Sequence, residues 1–91
     1  MTPPVSDGWG WEYDPDEEQV AAGLPDLVTA EVERLAGQLV ALGRDAADVG
    51  RGPLHGGGLR TLDLFGGRGF LHFIVAEHLQ LVLIVRVTWL D

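Results

Sequence analysis

Six arginines and three histidines carry most of the chemistry available to this chain, which has no lysine and no cysteine. Thiolate chemistry and disulfides are therefore closed to it, and fixed positive charge comes from guanidinium. His72 and Asp63 fall on neighbouring predicted strands, where a carboxylate orienting an imidazole is half of several general-base arrangements. Thr61 is the hydroxyl beside them, although the same two residues also read as a plain buried polar pair. Arg60 and Arg86 are predicted on a largely apolar strand face, and a guanidinium held there needs an anion. Carboxylates of this chain are one source; a phosphate or a partner's carboxylate is another. His55, His72 and His78 lack metal-ligand clustering. The glycines of GRGPLHGGG match no phosphate-loop pattern and precede no helix. No metal or cofactor is expected.

The elements that must position these groups lie mostly in the last third of the chain. LRTLDLF (59–65), FLHFIVAE (70–77) and QLVLIVRVTWL (80–90) read as three consecutive strands, with turns at 66–69 and 77–80. Pairing Phe65 with Phe70, and Glu77 with Gln80, puts Arg60, Leu64, Leu71, Phe73, Ile84 and Arg86 on one face. Thr61, Asp63, His72, Val85, Val87 and Trp89 share the other, with Asp63 opposite His72. Both faces are mainly apolar. Helices cover one, and the other is left for a partner or a second copy.

Upstream, Trp9, Trp11 and Tyr13 alternate as in a short strand whose rings close the core edge or stack on a ligand. Asp14-Pro15-Asp16-Glu17 opens a helix, with Asp14 as its cap. Gly23 and Pro25 break that helix and Asp26 restarts it. Val28, Val32, Leu35, Leu39 and Leu42 form an amphipathic stripe that Gly43 stops. A Gly- and Asp-rich connector over residues 44–58 follows. The predicted architecture is α+β: an antiparallel sheet, built from the short N-terminal strand and the three-stranded meander, with a two-helix hairpin on one face. Residues 1–8 are expected to be a mobile tail and residues 9–91 a single domain.

A chain of 91 residues, 46% of them hydrophobic, suits one small core. Net charge is −8, with eleven of the fourteen acids in residues 1–48. That balance opposes long-range steering toward nucleic acid and leaves local basic patches as the only cationic surface. MTPPVSDG lacks the features of a secretory signal. Residues 70–90 are interrupted by His72, Glu77, His78, Gln80 and Arg86, which excludes a membrane helix. A cytoplasmic protein is expected.

Gly58-Leu59-Arg60-Thr61-Leu62, the turn at 66–69 and FLHFIVAEHLQLVLIVRV, preceded by a strand and helices, resemble the RelE/ParE superfamily of toxins from bacterial type II toxin–antitoxin systems. The resemblance covers residues 9–90. It implies an antiparallel sheet with helices on one face and a concave opposite face. Its ribonuclease branch implies an mRNA interferase, ribosome-dependent or free, that assists attack of a 2′-hydroxyl on the adjacent phosphodiester. Arg60 would match the arginine opening the second strand. Arg68 in the turn and Arg86 on the last strand would be auxiliary cations, and His72 the proton carrier. The family's basic residue after the last strand falls here on Trp89-Leu90, and its C-terminal tyrosine has no counterpart up to Asp91. The ParE branch implies inhibition of DNA gyrase instead. Implied partners are a cognate antitoxin and mRNA or the ribosome; the uncovered apolar face separately suggests a homodimer, and no membrane partner is expected. The acidic balance favours the alternative, a non-catalytic protein-interaction domain on the same fold.

Overall fold

The computed structural model describes residues 8–52 and 58–90. Most of the expected tail, residues 1–7, lies outside them, as does His55. Strand β1 (Gly10–Tyr13) leads into a five-residue helix α1 (Glu17–Ala21) and then the long helix α2 (Asp26–Leu42). A 3₁₀ turn over Gly43–Asp48 begins the connector, and the meander follows as β2 (Arg60–Leu64), β3 (Gly69–Ala76) and β4 (Leu81–Trp89). Asp16, not Asp14, caps α1, accepting a hydrogen bond from Gln19 N–H at 2.9 Å. Asp14 is still tied to the sheet, donating its own N–H to the Ile84 carbonyl at 2.9 Å. The helix therefore starts two residues later than the Asp-Pro pattern suggests.

The strand order is β1-β4-β3-β2 in one four-stranded sheet. β2, β3 and β4 are antiparallel neighbours, whereas β1 runs parallel to β4. The sheet is thus mixed, which corrects the all-antiparallel expectation. The reason is a count of traverses. A hairpin of two full helices would return the chain to the end where β1 finished; one long helix takes it to the other end. β2 then starts parallel to β1, β3 reverses, and β4 comes back in the direction of β1. α1 is too short to make the extra pass, so the expected helical hairpin reduces to one turn and one helix.

α2 buries Val28, Val32, Ala36 and Leu39, all at 0–2% exposure. The spacing keeps one helical stripe facing the sheet. Gly43 ends the helix at φ +60°, and its N–H closes onto the Val40 carbonyl. A residue with a Cβ is strained there. Leu64, Leu71, Phe73, Val82 and Ile84 are completely buried on the sheet side of the same core. Each such side chain contributes about 1.5–3 kcal/mol relative to exposure. Trp9, Trp11 and Tyr13 pack on the edge of this core. Tyr13 also fastens β1 to α2, donating its hydroxyl to Glu33 at 3.2 Å. Burial first, then Glu33, pushes that phenol far above its ordinary pKa.

Two irregularities decide which residues share the open face. The turn between β2 and β3 takes four residues, Phe65 to Arg68, and the closing pair is Leu64–Gly69. The Leu64 carbonyl accepts from Gly67 and Arg68 N–H at 3.1 and 3.0 Å. This differs by two residues from the expected pairing, so faces are kept but partners change. Thr61 faces His72, and Asp63 faces Phe70. Between β3 and β4 the pairing follows expectation from Ala76–Leu81 to Phe73–Ile84, then slips by one at a bulge, so that His72 pairs with Arg86. A one-residue slip exchanges faces. Arg86 therefore joins His72 on the open side, while Val87 and Trp89 turn to the core.

Candidate functional site

On the open face, cross-strand pairing lines up four residues from four segments: Arg51 with Thr61, Thr61 with His72, and His72 with Arg86. Directly paired residues share a face, so the row places one imidazole and one hydroxyl between two guanidiniums. Arg51 comes from the connector. Its backbone exchanges two hydrogen bonds with Thr61, at 2.9 and 2.8 Å, and so extends the sheet by one bridge beyond β2. Its guanidinium forms an ion pair with Asp63 at 2.9 Å and lies over the Phe70 ring at 6.0 Å. Five N–H donors leave it capacity beyond that one carboxylate.

His72 is half-buried at the centre of the row. Its Nδ1 lies 3.1 Å from the Thr61 hydroxyl and its Nε2 3.5 Å from that of Thr88. Burial, then Arg86, then Arg51 lower its pKa from the ordinary 6.5. The imidazole is thus neutral near pH 7, with one nitrogen able to accept a proton. An anion seated between the guanidiniums would offset their repulsion and raise its basicity where proton transfer is needed.

Of the sequence-predicted site residues, the structure brings His72 and Arg86 together and places Arg60 and Arg68 elsewhere. Arg60 pairs with Phe73 and is on the core face, 9% exposed. Its Nε donates to the Val49 carbonyl at 3.0 Å and one terminal nitrogen to the Gly50 carbonyl at 2.9 Å. The shared face expected for Arg60 and Arg86 is overturned by the bulge. Arg68 is exposed in the turn at the end of the sheet, 5.6 Å over the Trp89 ring. The expected Asp63–His72 opposition is likewise replaced by Thr61–His72. Arg51 was missed because periodicity does not place a connector residue; the only signal was an arginine between two glycines just before β2. Among the described residues, no three His, Cys, Asp or Glu side chains gather as metal ligands, and no helix is long and apolar enough to cross a membrane.

No family model, characterised protein or solved structure matches the chain. Function has to be read from the row itself.

The row has a consequence for stability. Because the folded state disfavours the imidazolium of His72, the unfolded chain takes up that proton first as pH falls below 6.5. Stability then falls with pH below that value and regains its full His72 contribution above it. Urea midpoints measured between about pH 7.5 and 5.5 are expected to fall toward acid, with a smaller fall in His72→Gln. Equal slopes in the two proteins would mean that His72 titrates as a free imidazole.

Proposed function

We propose that this chain is a toxin of the RelE/ParE type that cleaves RNA at the row formed by Arg51, His72 and Arg86. The observation that carries the reading is that row: a neutral imidazole between two guanidiniums, on a sheet face that no helix among the described residues covers. In this chemistry Arg51 and Arg86 hold the non-bridging oxygens of a phosphodiester. His72 takes the proton of the 2′-hydroxyl as that oxygen attacks phosphorus. The 5′-oxygen leaves with a proton from the imidazolium or from water, giving a 2′,3′-cyclic phosphate and a 5′-hydroxyl end. The chain order of strand, helix, glycine-rich connector and antiparallel meander agrees with that family, whereas the parallel β1 and the single long helix depart from what the resemblance implies. In the proposed site the role expected of Arg60 falls to Arg51, which lies one pairing step beyond Thr61 from the imidazole.

The acidic balance does not exclude such a site. Glu17, Glu18, Asp26, Glu31 and Glu33 belong to α1 and α2, on the other side of the sheet from the row. With two arginine–phosphate contacts, the logarithm of RNA affinity is expected to fall against the logarithm of salt with a slope of about −1.4. A slope several times steeper would point to a broader cationic surface than this row.

A second reading has its own observation. Ile74, Leu81 and Leu83 are only half-buried on the same open face, which suits a protein partner: a cognate antitoxin, a second copy, or a gyrase-like target. Expression with and without an adjacent antitoxin-like gene separates the readings. Growth arrest with RNA cleavage, lost in Arg86→Ala and His72→Ala, supports the endonuclease. Arrest with intact RNA supports a protein target, and no arrest leaves a binding module.

A further inference from the structure

We infer that Arg60 is a positioning residue for the open face: from the core side of the sheet it holds the connector that brings Arg51 beside His72. This deepens the reading of that face as an RNA site and rests on it for its functional consequence, though not for its geometry.

The connector reaches the sheet at residues 49–52, where it is held from two sides. From the core side, the Arg60 fork spans two successive carbonyls, Val49 at 3.0 Å and Gly50 at 2.9 Å. From the edge, Arg51 is bridged to Thr61 through both backbone groups. Arg60 and Thr61 are adjacent, so one dipeptide of β2 grips both ends of the Val49-Gly50-Arg51 segment. The approach is close enough to require glycine. At Gly50, φ is +78° and a Cβ would run into the Thr61 carbonyl oxygen. At Gly52, a Cβ would lie 2.6 Å from the Leu59 carbonyl oxygen and 3.2 Å from an Arg60 terminal nitrogen. With its backbone held there, the Arg51 guanidinium reaches Asp63 at 2.9 Å and lies over the Phe70 ring at 6.0 Å. Lysine could not do the work of Arg60, because a single ammonium does not reproduce a planar fork across two carbonyls.

His72 itself reports the position of Arg51. The charged groups facing its ring are Arg86 from β4 and Arg51 from the connector, with Asp63 of β2 acting through Arg51. Removing or displacing Arg51 takes away a nearby cation and favours the imidazolium.

The experiment follows the His72 titration midpoint by NMR of the ring protons in the full chain, alongside cleavage of a single-stranded RNA. Arg51→Ala is expected to raise the midpoint. Arg60→Lys, which keeps the charge, is expected to raise it too, and to add nothing further in an Arg51→Ala background. Gly52→Ala, which crowds the clamp while leaving the guanidinium in place, is expected to act in the same direction. It decides the matter should Arg60→Lys fail to fold. A wild-type midpoint in both Arg60→Lys and Gly52→Ala, whatever their thermal stability, overturns the inference. So does a further shift from Arg60→Lys once Arg51 is gone. Shifts as expected in chains that cleave no RNA would support the positioning role and sink the endonuclease reading. Cleavage lost in Arg51→Ala with unmoved midpoints in the other two variants would do the reverse.

Discussion

His72→Ala is expected to lower the rate of RNA cleavage by about 10²–10⁴-fold, the range for loss of a positioned acid–base group. The change should leave the fold intact. The ring contacts two threonine hydroxyls, Thr61 at 3.1 Å and Thr88 at 3.5 Å, and both residues are only half-buried. Losing such partners to water costs about 1 kcal/mol or less. Circular dichroism and urea midpoints provide the structural control, and cleavage of a labelled oligonucleotide the functional one. Arg86→Ala should cost about 10²–10³-fold, as removal of one donor to a developing oxyanion does. A His72→Ala protein that cleaves at the wild-type rate would remove the imidazole from the mechanism.

Phe73→Ala is expected to have the largest effect on folding. The side chain is fully buried, at the strand centre, between its β2 partner Arg60 and its β4 partner Ile84. Truncation there costs about 3–5 kcal/mol, because the transfer term and the cavity term add. Small domains have about 5–15 kcal/mol in total, so the variant should lose about a third or more of its stability. Each kcal/mol lowers the thermal midpoint by about 4–8 °C in a domain of this size. Ile74→Ala is the matched control, one residue along on the open face and only half-buried. If the two variants lost equal stability, the assignment of core and open faces would be wrong.

That assignment also shows which features were legible in the residue pattern. The amphipathic stripe of α2 was readable in part: of its five expected residues the structure buries Val28, Val32 and Leu39, half-buries Leu35 and leaves Leu42 exposed. β3 was readable because its residues alternate regularly between buried and half-buried, so its inward and outward sets follow from period two. β4 was not readable to its end. LVLIVRV offers apolar side chains on both parities, so hydrophobicity does not detect the slip between His72 and Phe73. That slip alone moved Arg86 across the sheet, and with it the composition of the candidate site. The direction of β1 was hidden for another reason. It depends on how many helices cross the sheet, and a five-residue α1 leaves the same capping and breaking signals as a longer helix.

Arginine chemistry was visible, but the roles of individual arginines were not. Arg60 and Arg51 are both guanidiniums near the start of β2. One is gripped by carbonyls on the core side; the other is set beside an imidazole on the open side. Only the bridge between Arg51 and Thr61, a contact made by a connector backbone, distinguishes them.

The most direct test of the account is an NMR titration of the protein with a short single-stranded RNA carrying 2′-O-methyl groups, which binds but does not undergo 2′-hydroxyl attack. The account predicts that the His72 ring and the guanidinium signals of Arg51 and Arg86 shift together and saturate together, and that the His72 midpoint rises as phosphate offsets its two cations. Shifts confined to Arg68 and Trp89, or an unmoved His72 ring at saturating RNA, would contradict it.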